Sequence, residues 1–405
     1  MVQMLIEENQ IDLSSIYIDG TKIEAYANRY SFVWRGSIEK YQEKLRIKVI
    51  ECLGLNENST AEEVLEVVRM FFNQIAKECT DKNIEFAYGQ GKRKHKLQRD
   101  YETLKDWKEK LEKHKEHLEI MGEHRNSYSK TDHEATFMRM KEDHMKNGQL
   151  KAAYNVQLAS ASGFIIGDNI SHHPSDMYTL KPFVRGLLEN YPNRLEKIVA
   201  DSGYESEENY VFLAEKGLNS YIKPSNYEKS KTRKYKKDME FRNSLIYDEK
   251  QDKYLSLDGK EFTRCKDKYR KRESGYVSIT KVYRCFDWNK EGEKTKGIYI
   301  SETFQKYREI SLKNIKSPQG IEERINRSIQ AEGAFSKLKD GLSYNRFHHK
   351  GKANAISEIN LLSIALNLNK LESKIIKKNL KSQNTKLLKR KVFKSIALLS
   401  LPIFK

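Results

Sequence analysis

Proline, cysteine and long apolar runs are all scarce in this chain of 405 residues, and each scarcity narrows what it is. Six prolines and a hydrophobic share of 38% fit a globular protein with a generous charged periphery. Four cysteines do not make a disulfide framework, so the expected compartment is a reducing cytoplasm. No apolar run approaches the ~20 residues that span a bilayer. The longest candidate, 395–404, is short and is interrupted by Pro402. Residues 1–10 carry Glu7 and Glu8 and lack the basic start and apolar stretch of a signal peptide. A GxxxxGK[ST] phosphate loop is missing, which argues against ATP use. So are a GxSxG turn and a Cys-His pairing, so an attacking nucleophile would be water or a hydroxyl of the substrate.

What is present is positive charge. Lys and Arg number 75 against 57 Asp and Glu, a formal charge of +18. Such an excess attracts polyanions and steers their approach, with nucleic acid first and an anionic membrane surface second. The basic runs at 229–237 and 264–272 interleave tyrosine with Lys and Arg, a composition that suits phosphates and unpaired bases. The tail from 370 is amphipathic and basic, and fits DNA better than a membrane.

The pattern along the chain is mixed. Residues 15–23 read as a strand rich in β-formers with Asp19 in its middle. From 36 to about 125 the chain is charged and helical, with Val64, Val67, Val68, Phe71 and Ile75 at helical spacing; the stretch 105–124 suggests a long hairpin arm. Residues 153–158 and 163–167 read as a hairpin across a Ser/Gly turn. A helix follows over about 176–190, then a short apolar strand, 197–201, ending on Asp201. Ser206 is a candidate N-cap for a helix stopped by Gly217, and 219–224 is a further strand. Strand, helix, strand in this order implies a βαβ unit within a mixed sheet. Residues 226–316 are basic and irregular with strand-like pieces. A helix is expected over 318–339, and another over 355–371.

Three carboxylates stand out. At about 100° per residue, Glu332 falls between Ile321, Ile325 and Ile329, in the middle of an apolar stripe. A buried carboxylate there needs a cation, a hydrogen-bonding partner or a proton; an ion pair with Lys339 is the bland solution. Asp19 interrupts a strand in which aspartate is disfavoured. Asp201 ends an apolar strand, where loops build sites, although a turn aspartate is an equal reading of it alone. Acidic residues so placed on a basic protein suggest hard-metal binding. Mg²⁺ takes a few carboxylates and keeps several waters, and two such ions about 3.5–4 Å apart activate a water or 3′-hydroxyl at phosphorus. His172, His173 and Asp176 read as a turn and helix start. Cys265 and Cys285, with no histidine between them, are too few ligands for structural zinc.

The segments YIDGTKIEA around Asp19, KTDHEATFMRMKEDHMKNGQLKAAYNVQLA at 130–159, IVADSGYES around Asp201, IQAEGAFSKLK around Glu332 and YNRFHHKG at 344–351 resemble the DDE transposases of bacterial insertion sequences. The likeness touches 15–35, 130–224 and 318–370. It implies a ribonuclease-H-like mixed sheet with flanking helices, interrupted by a charged helical insertion and a basic β-rich insertion. It implies a catalytic and metal-binding triad of Asp19, Asp201 and Glu332 with two Mg²⁺ or Mn²⁺ ions. Metal-dependent cleavage and strand transfer at the element's ends would follow. The partners implied are terminal inverted repeats and target DNA, bound by a homodimer at the nucleoid, with no membrane and no zinc. Lys339 matches a family lysine seven positions after the glutamate. Arg327 is one position off the family arginine, and the family tyrosine before the glutamate is missing. Arg346, His348, His349 and Lys350 are placed as DNA contacts. The division expected is 1–35, 129–225 and 318–371 for the core, 36–128 and 226–317 for the insertions, and 372–405 for a basic tail. Relatives carry a helical domain before the first aspartate and this chain starts close to Asp19, so the alternative is a truncated, catalytically inactive DNA-binding relative.

Overall fold

The computed structural model describes residues 1–140, 148–288 and 294–377. Residues 141–147 of the quoted 130–159 stretch, and the basic tail from 378 on, lie outside the described residues. The chain is a mixed α/β protein that divides into two compact units, one of residues 1–23 with 154–405 and one of residues 24–153.

The first unit is built on a sheet of β1 (Ser15–Glu24), β2 (Leu150–Ala161), β3 (Phe164–Ser171), β4 (Lys197–Ala200) and β5 (Asn219–Ile222), in the order β3-β2-β1-β4-β5. β2 and β3 form an antiparallel hairpin. Its turn uses Ser162 and Gly163 at φ 51° and 80°, the paired positive φ values that match strand twist in a two-residue hairpin. β4 lies parallel to β1 on one side and to β5 on the other. Because side chains alternate along a strand, the faces separate cleanly. Ile16, Ile18, Ile198, Ala200 and Ile222 enter the main core with Leu180, Phe183, Val184 and Leu187 of the helix Leu180–Asn190. Tyr17, Val199 and Tyr221 face the other way, onto Ile315 and Ala331. Ile16 and Ile18 are both fully buried, each stabilising the sheet by about 1.5–3 kcal/mol. The helix Glu207–Glu215 begins on Ser206, whose Oγ accepts from Asn209 N at 3.1 Å. It is followed by Gly217 at φ +68°, as the sequence indicates.

The second face is covered by the helices Glu302–Lys316 and Pro318–Arg327. Ser317 caps the second of these, accepting from Gly320 N at 3.0 Å, with Pro318 in the first turn. At this corner the two backbones nearly touch. A Cβ on Gly320 would collide with the Asn314 carbonyl oxygen and come within 2.7 Å of the Ile315 Cα.

The single helix expected over 318–339 is not uniform. An α-helical piece, Pro318–Arg327, continues as a π-wound turn Ser328–Glu332, a short α turn Gly333–Ser336 and a second π turn Lys337–Gly341. The irregular basic region likewise has more order than its sequence suggests. The 229–237 run ends in a helix, Arg233–Asn243. Among the described residues between Ile246 and Ile300, six strands then form an antiparallel sheet, packed on Phe262, Tyr283, Cys285, Trp288 and Ile298.

Among its described residues the second unit contains three helices, Arg35–Leu53, Ala61–Asp81 and Lys96–Met121. They enclose Val49, Ile50, Val64, Leu65, Val68, Leu104, Trp107 and Leu111. Thr60 and Glu63 form a reciprocal capping box at the second helix. No hairpin arm forms over 105–124. Leu104, Trp107 and Leu111 are an inward stripe of one continuous helix, and burying that stripe holds it in the bundle. Among the described residues no helix is long and apolar enough to cross a membrane.

Candidate acidic site

β1 and β4 pair in register as Ser15 with Lys197, Ile16 with Ile198 and Tyr17 with Val199. Continuing that register by two residues sets Asp19 beside Asp201, on strands about 4.8 Å apart. Both are an even number of residues beyond Tyr17 and Val199. They therefore share those residues' face of the sheet, the face covered by the helical run that carries Glu332.

Asp19 is buried at 8% exposure, and its Oδ1 accepts from Gly20 N at 2.9 Å. The Asp201 Oδ1 accepts from Gly203 N at 2.8 Å, capping the short turn Ser202–Tyr204. That turn drives the Tyr204 ring into the core, fully buried, where its hydroxyl donates to the Gln157 Oε1. Burial pushes the Tyr204 phenol well up, and the negative charges of Asp176, Asp19 and Asp201 push it further, with Arg327 opposing them. Three carboxylates thus act on one buried ring.

Asp176 is the residue that sequence reasoning passed over as part of a helix start. It does open the short turn Asp176–Tyr178, but its carboxylate turns inward. Its Oδ1 accepts from the Asn155 Nδ2 at 2.7 Å and the Gln157 Nε2 at 3.0 Å. A Cβ on Gly20 would lie 2.9 Å from its Oδ1, and one on Gly203 would lie 3.3 Å from its Oδ2. The signal was in β2. Asn155 and Gln157 alternate with apolar residues, and both are buried at 1% or less. Two buried amides require polar partners.

Glu332 departs from expectation. It does not sit in a buried stripe: its side chain is 52% exposed, and Ile321, Ile325 and Ile329 are 46%, 58% and 67% exposed. The buried face is the other one, with Gly320, Glu323, Ala331, Phe335 and Leu338. The near-contact at Gly320 forces that orientation. Lys339 is not its observed partner. Glu332 accepts from the Arg327 Nη2 at 2.8 Å and the Ser328 Oγ at 3.0 Å. Arg327, the partner of Glu332, is also the guanidinium that acts on Tyr204.

Asp19, Asp201 and Asp176 offer hard oxygen donors, the type Mg²⁺ and Mn²⁺ take alongside waters and substrate phosphate. By donor chemistry the aspartates fit such an ion. Among the described residues no group of three or more His, Cys, Asp or Glu is arranged as a ready metal cage.

The remaining sequence candidates lie elsewhere on this unit. Lys339 is half-buried in the second π turn. Arg346, His348, His349 and Lys350 are exposed on the loop before the helix Lys352–Lys377. Glu358 organises that loop, accepting from His348 N at 3.1 Å, His349 N at 2.9 Å and the Tyr344 hydroxyl. Burial pushes the Glu358 carboxyl up, but these donors and the His349 ring outweigh it and hold it below the usual carboxylate range. His173 stacks on Tyr178 and meets Glu273 at 2.9 Å. Cys285 is buried in the core of the second sheet.

Residues 257–372 match a protein family described as the transposase DDE domain. The matched stretch is somewhat over a quarter of the chain and includes Glu332 and Lys339, while Asp19 and Asp201 lie before it. No curated protein and no solved structure matches the chain.

Proposed function

We propose, from the premise that residues 257–372 are a transposase DDE domain, that this chain is a metal-dependent DNA strand transferase acting at the ends of an insertion sequence. The observation that supports the reading is the parallel register of β1 with β4 through Tyr17 and Val199, which, continued by two residues, would put Asp19 within β1 beside Asp201 just past β4. The sheet order, with an antiparallel hairpin on one side of β1 and two parallel strands on the other, supports a ribonuclease-H-like fold. Asp19, Asp201 and Glu332 are the assigned catalytic and metal-binding residues. Two bound Mg²⁺ or Mn²⁺ ions would supply activation of a water or 3′-hydroxyl and neutralisation of the leaving oxygen.

The chain's own residues do the rest. Asp176 is fixed by Asn155 and Gln157 and adds negative charge that favours a cation at the aspartates. The net charge of +18 gathers the DNA. Arg346, His348, His349 and Lys350 present donors from the Glu358-held loop to its phosphates, with Lys339 and Arg327 nearer the glutamate. Terminal inverted repeats, target DNA, a homodimeric assembly and a cytoplasmic, nucleoid-bound location belong to the same reading.

The ion pair of Glu332 with Arg327 favours one second reading, a catalytically inactive relative that only binds DNA. Incubating the full chain with duplex carrying the element's ends separates the two. Nicking that requires Mg²⁺ or Mn²⁺ and disappears in Asp201→Asn and Glu332→Gln supports strand transfer. Salt-sensitive binding with no nicking under either metal leaves the binding-only relative.

A further inference from the structure

Glu323 is buried at 6% exposure on the face of the Pro318–Arg327 helix that meets the sheet, nine residues before Glu332. A lone buried carboxylate is costly and persists only when it is satisfied. Here the satisfaction comes from both central strands. The Tyr17 hydroxyl donates to its Oε2 at 2.5 Å, and the Ser15 Oγ donates to its Oε1 at 2.7 Å; both belong to β1. The Lys197 Nζ, on β4, lies 3.4 Å from the same Oε1 and 3.4 Å from the Ser15 Oγ. Burial pushes the Tyr17 phenol up, as does the hydrogen bond to the carboxylate, so the hydroxyl stays a donor.

These contacts join the three elements that carry Asp19, Asp201 and Glu332. Ser15 precedes Asp19 by four residues and Lys197 precedes Asp201 by four, about 13 Å along a strand. Glu323 precedes Glu332 by nine, at most about 13 Å along the helical run. Ala331, next to Glu332, packs with Tyr17 and Val199, so the helix advances along the sheet in the strands' direction. A single anchor at Glu323 therefore sets the height at which Glu332 emerges relative to both aspartates.

We propose that Glu323 is a positioning residue for the acidic site: its carboxylate, held by Tyr17, Ser15 and Lys197, fixes the axial placement of the Glu332 helix against the strands of Asp19 and Asp201. This rests on the strand-transferase reading for its catalytic consequence, but not for the anchor itself.

The test uses the full chain with Tyr17→Phe, which removes one hydrogen bond and no charge, and Glu323→Gln, which keeps the size. Amide hydrogen exchange over 318–332, thermal unfolding and binding of Mn²⁺ alone are measured on each. Exchange at least tenfold faster in that helix, with Mn²⁺ binding weakened at least fivefold and Tyr17→Phe unfolding within a few degrees of the parent, supports the proposal. Unchanged exchange in both variants overturns it, as does unchanged Mn²⁺ binding despite faster exchange, which leaves only a structural role. A parent chain that neither binds Mn²⁺ nor nicks end DNA sinks the strand-transferase reading instead; the exchange result then decides the anchor by itself.

Discussion

Arg327 and Glu332 are five residues apart and form an ion pair at 2.8 Å. In a regular α-helix the neighbours on one face are three and four apart. A separation of five becomes a contact because Ser328–Glu332 is wound as a π turn, which shifts the repeat to i and i+5. π turns of this kind occur often at functional sites. This one decides which cation neutralises the glutamate.

Replacing Arg327 with Gln tests that relationship. The Glu332 side chain is half exposed, so the pair contributes less than about 1 kcal/mol to stability. Thermal unfolding of Arg327→Gln is therefore expected within a few degrees of the parent. Mn²⁺ binding is expected to tighten several-fold, because the glutamate loses its competing counter-charge. Titration of Mn²⁺ by its paramagnetic resonance signal checks both the sign and the size.

Tyr204 offers a second test. Its hydroxyl donates to the Gln157 Oε1 inside the core, and Gln157 in turn donates to Asp176. Tyr204→Phe strands a buried acceptor, which costs about 1–3 kcal/mol. A urea midpoint lowered accordingly, with the slope unchanged, is the expected result.

Gly320 has no room for even a methyl group, because backbone atoms of Asn314 and Ile315 occupy the place of its Cβ. Gly320→Ala must spread the corner between the two helices. A loss of about 3 kcal/mol or more is expected, beyond ordinary overpacking because no flexible side chain can give way. An alanine variant as stable as the parent in chemical denaturation contradicts the close approach.

Asp168, on β3, carries a pH signature. Burial pushes its carboxyl up to about 6, so the folded chain holds this proton more tightly than the unfolded chain does. By linkage, stability falls as pH climbs from about 4 to about 6 and stays lower above that. Asp168→Asn removes the dependence. At pH 7.5 it is expected to stabilise by about 1–2 kcal/mol, the full shift being reduced because the group is partly exposed. Melting curves of both proteins across that range show whether their difference closes at low pH.

Much of the sheet was legible because alternation and turn chemistry are local. The hairpin around Ser162 and Gly163, the Ser206 cap and the strand ending on Asp201 follow from nearest-neighbour rules. The orientation of the Glu332 helix did not. A helical wheel finds the stripe of Ile321, Ile325 and Ile329, but the buried face was chosen by Gly320 and Glu323, whose reasons lie in Asn314, Ser15 and Tyr17. Nor does a fixed angle per residue anticipate two π turns. Asp176 was hidden for a similar reason: its partners Asn155 and Gln157 are about twenty residues earlier on another element, and only their shared burial connects them.

The pairing of β1 with β4 has a further consequence for how the protein is made. Ser15 and Lys197 are partners across 182 positions. At ordinary rates of synthesis that interval takes roughly 10–40 s. During it, the strand bearing Asp19 waits at the ribosome without its parallel neighbour. Contacts this distant in sequence are slow to close, so chain elongation sets the earliest moment at which the acidic site can exist. A polypeptide interrupted before residue 197 has Asp19 but never acquires the site.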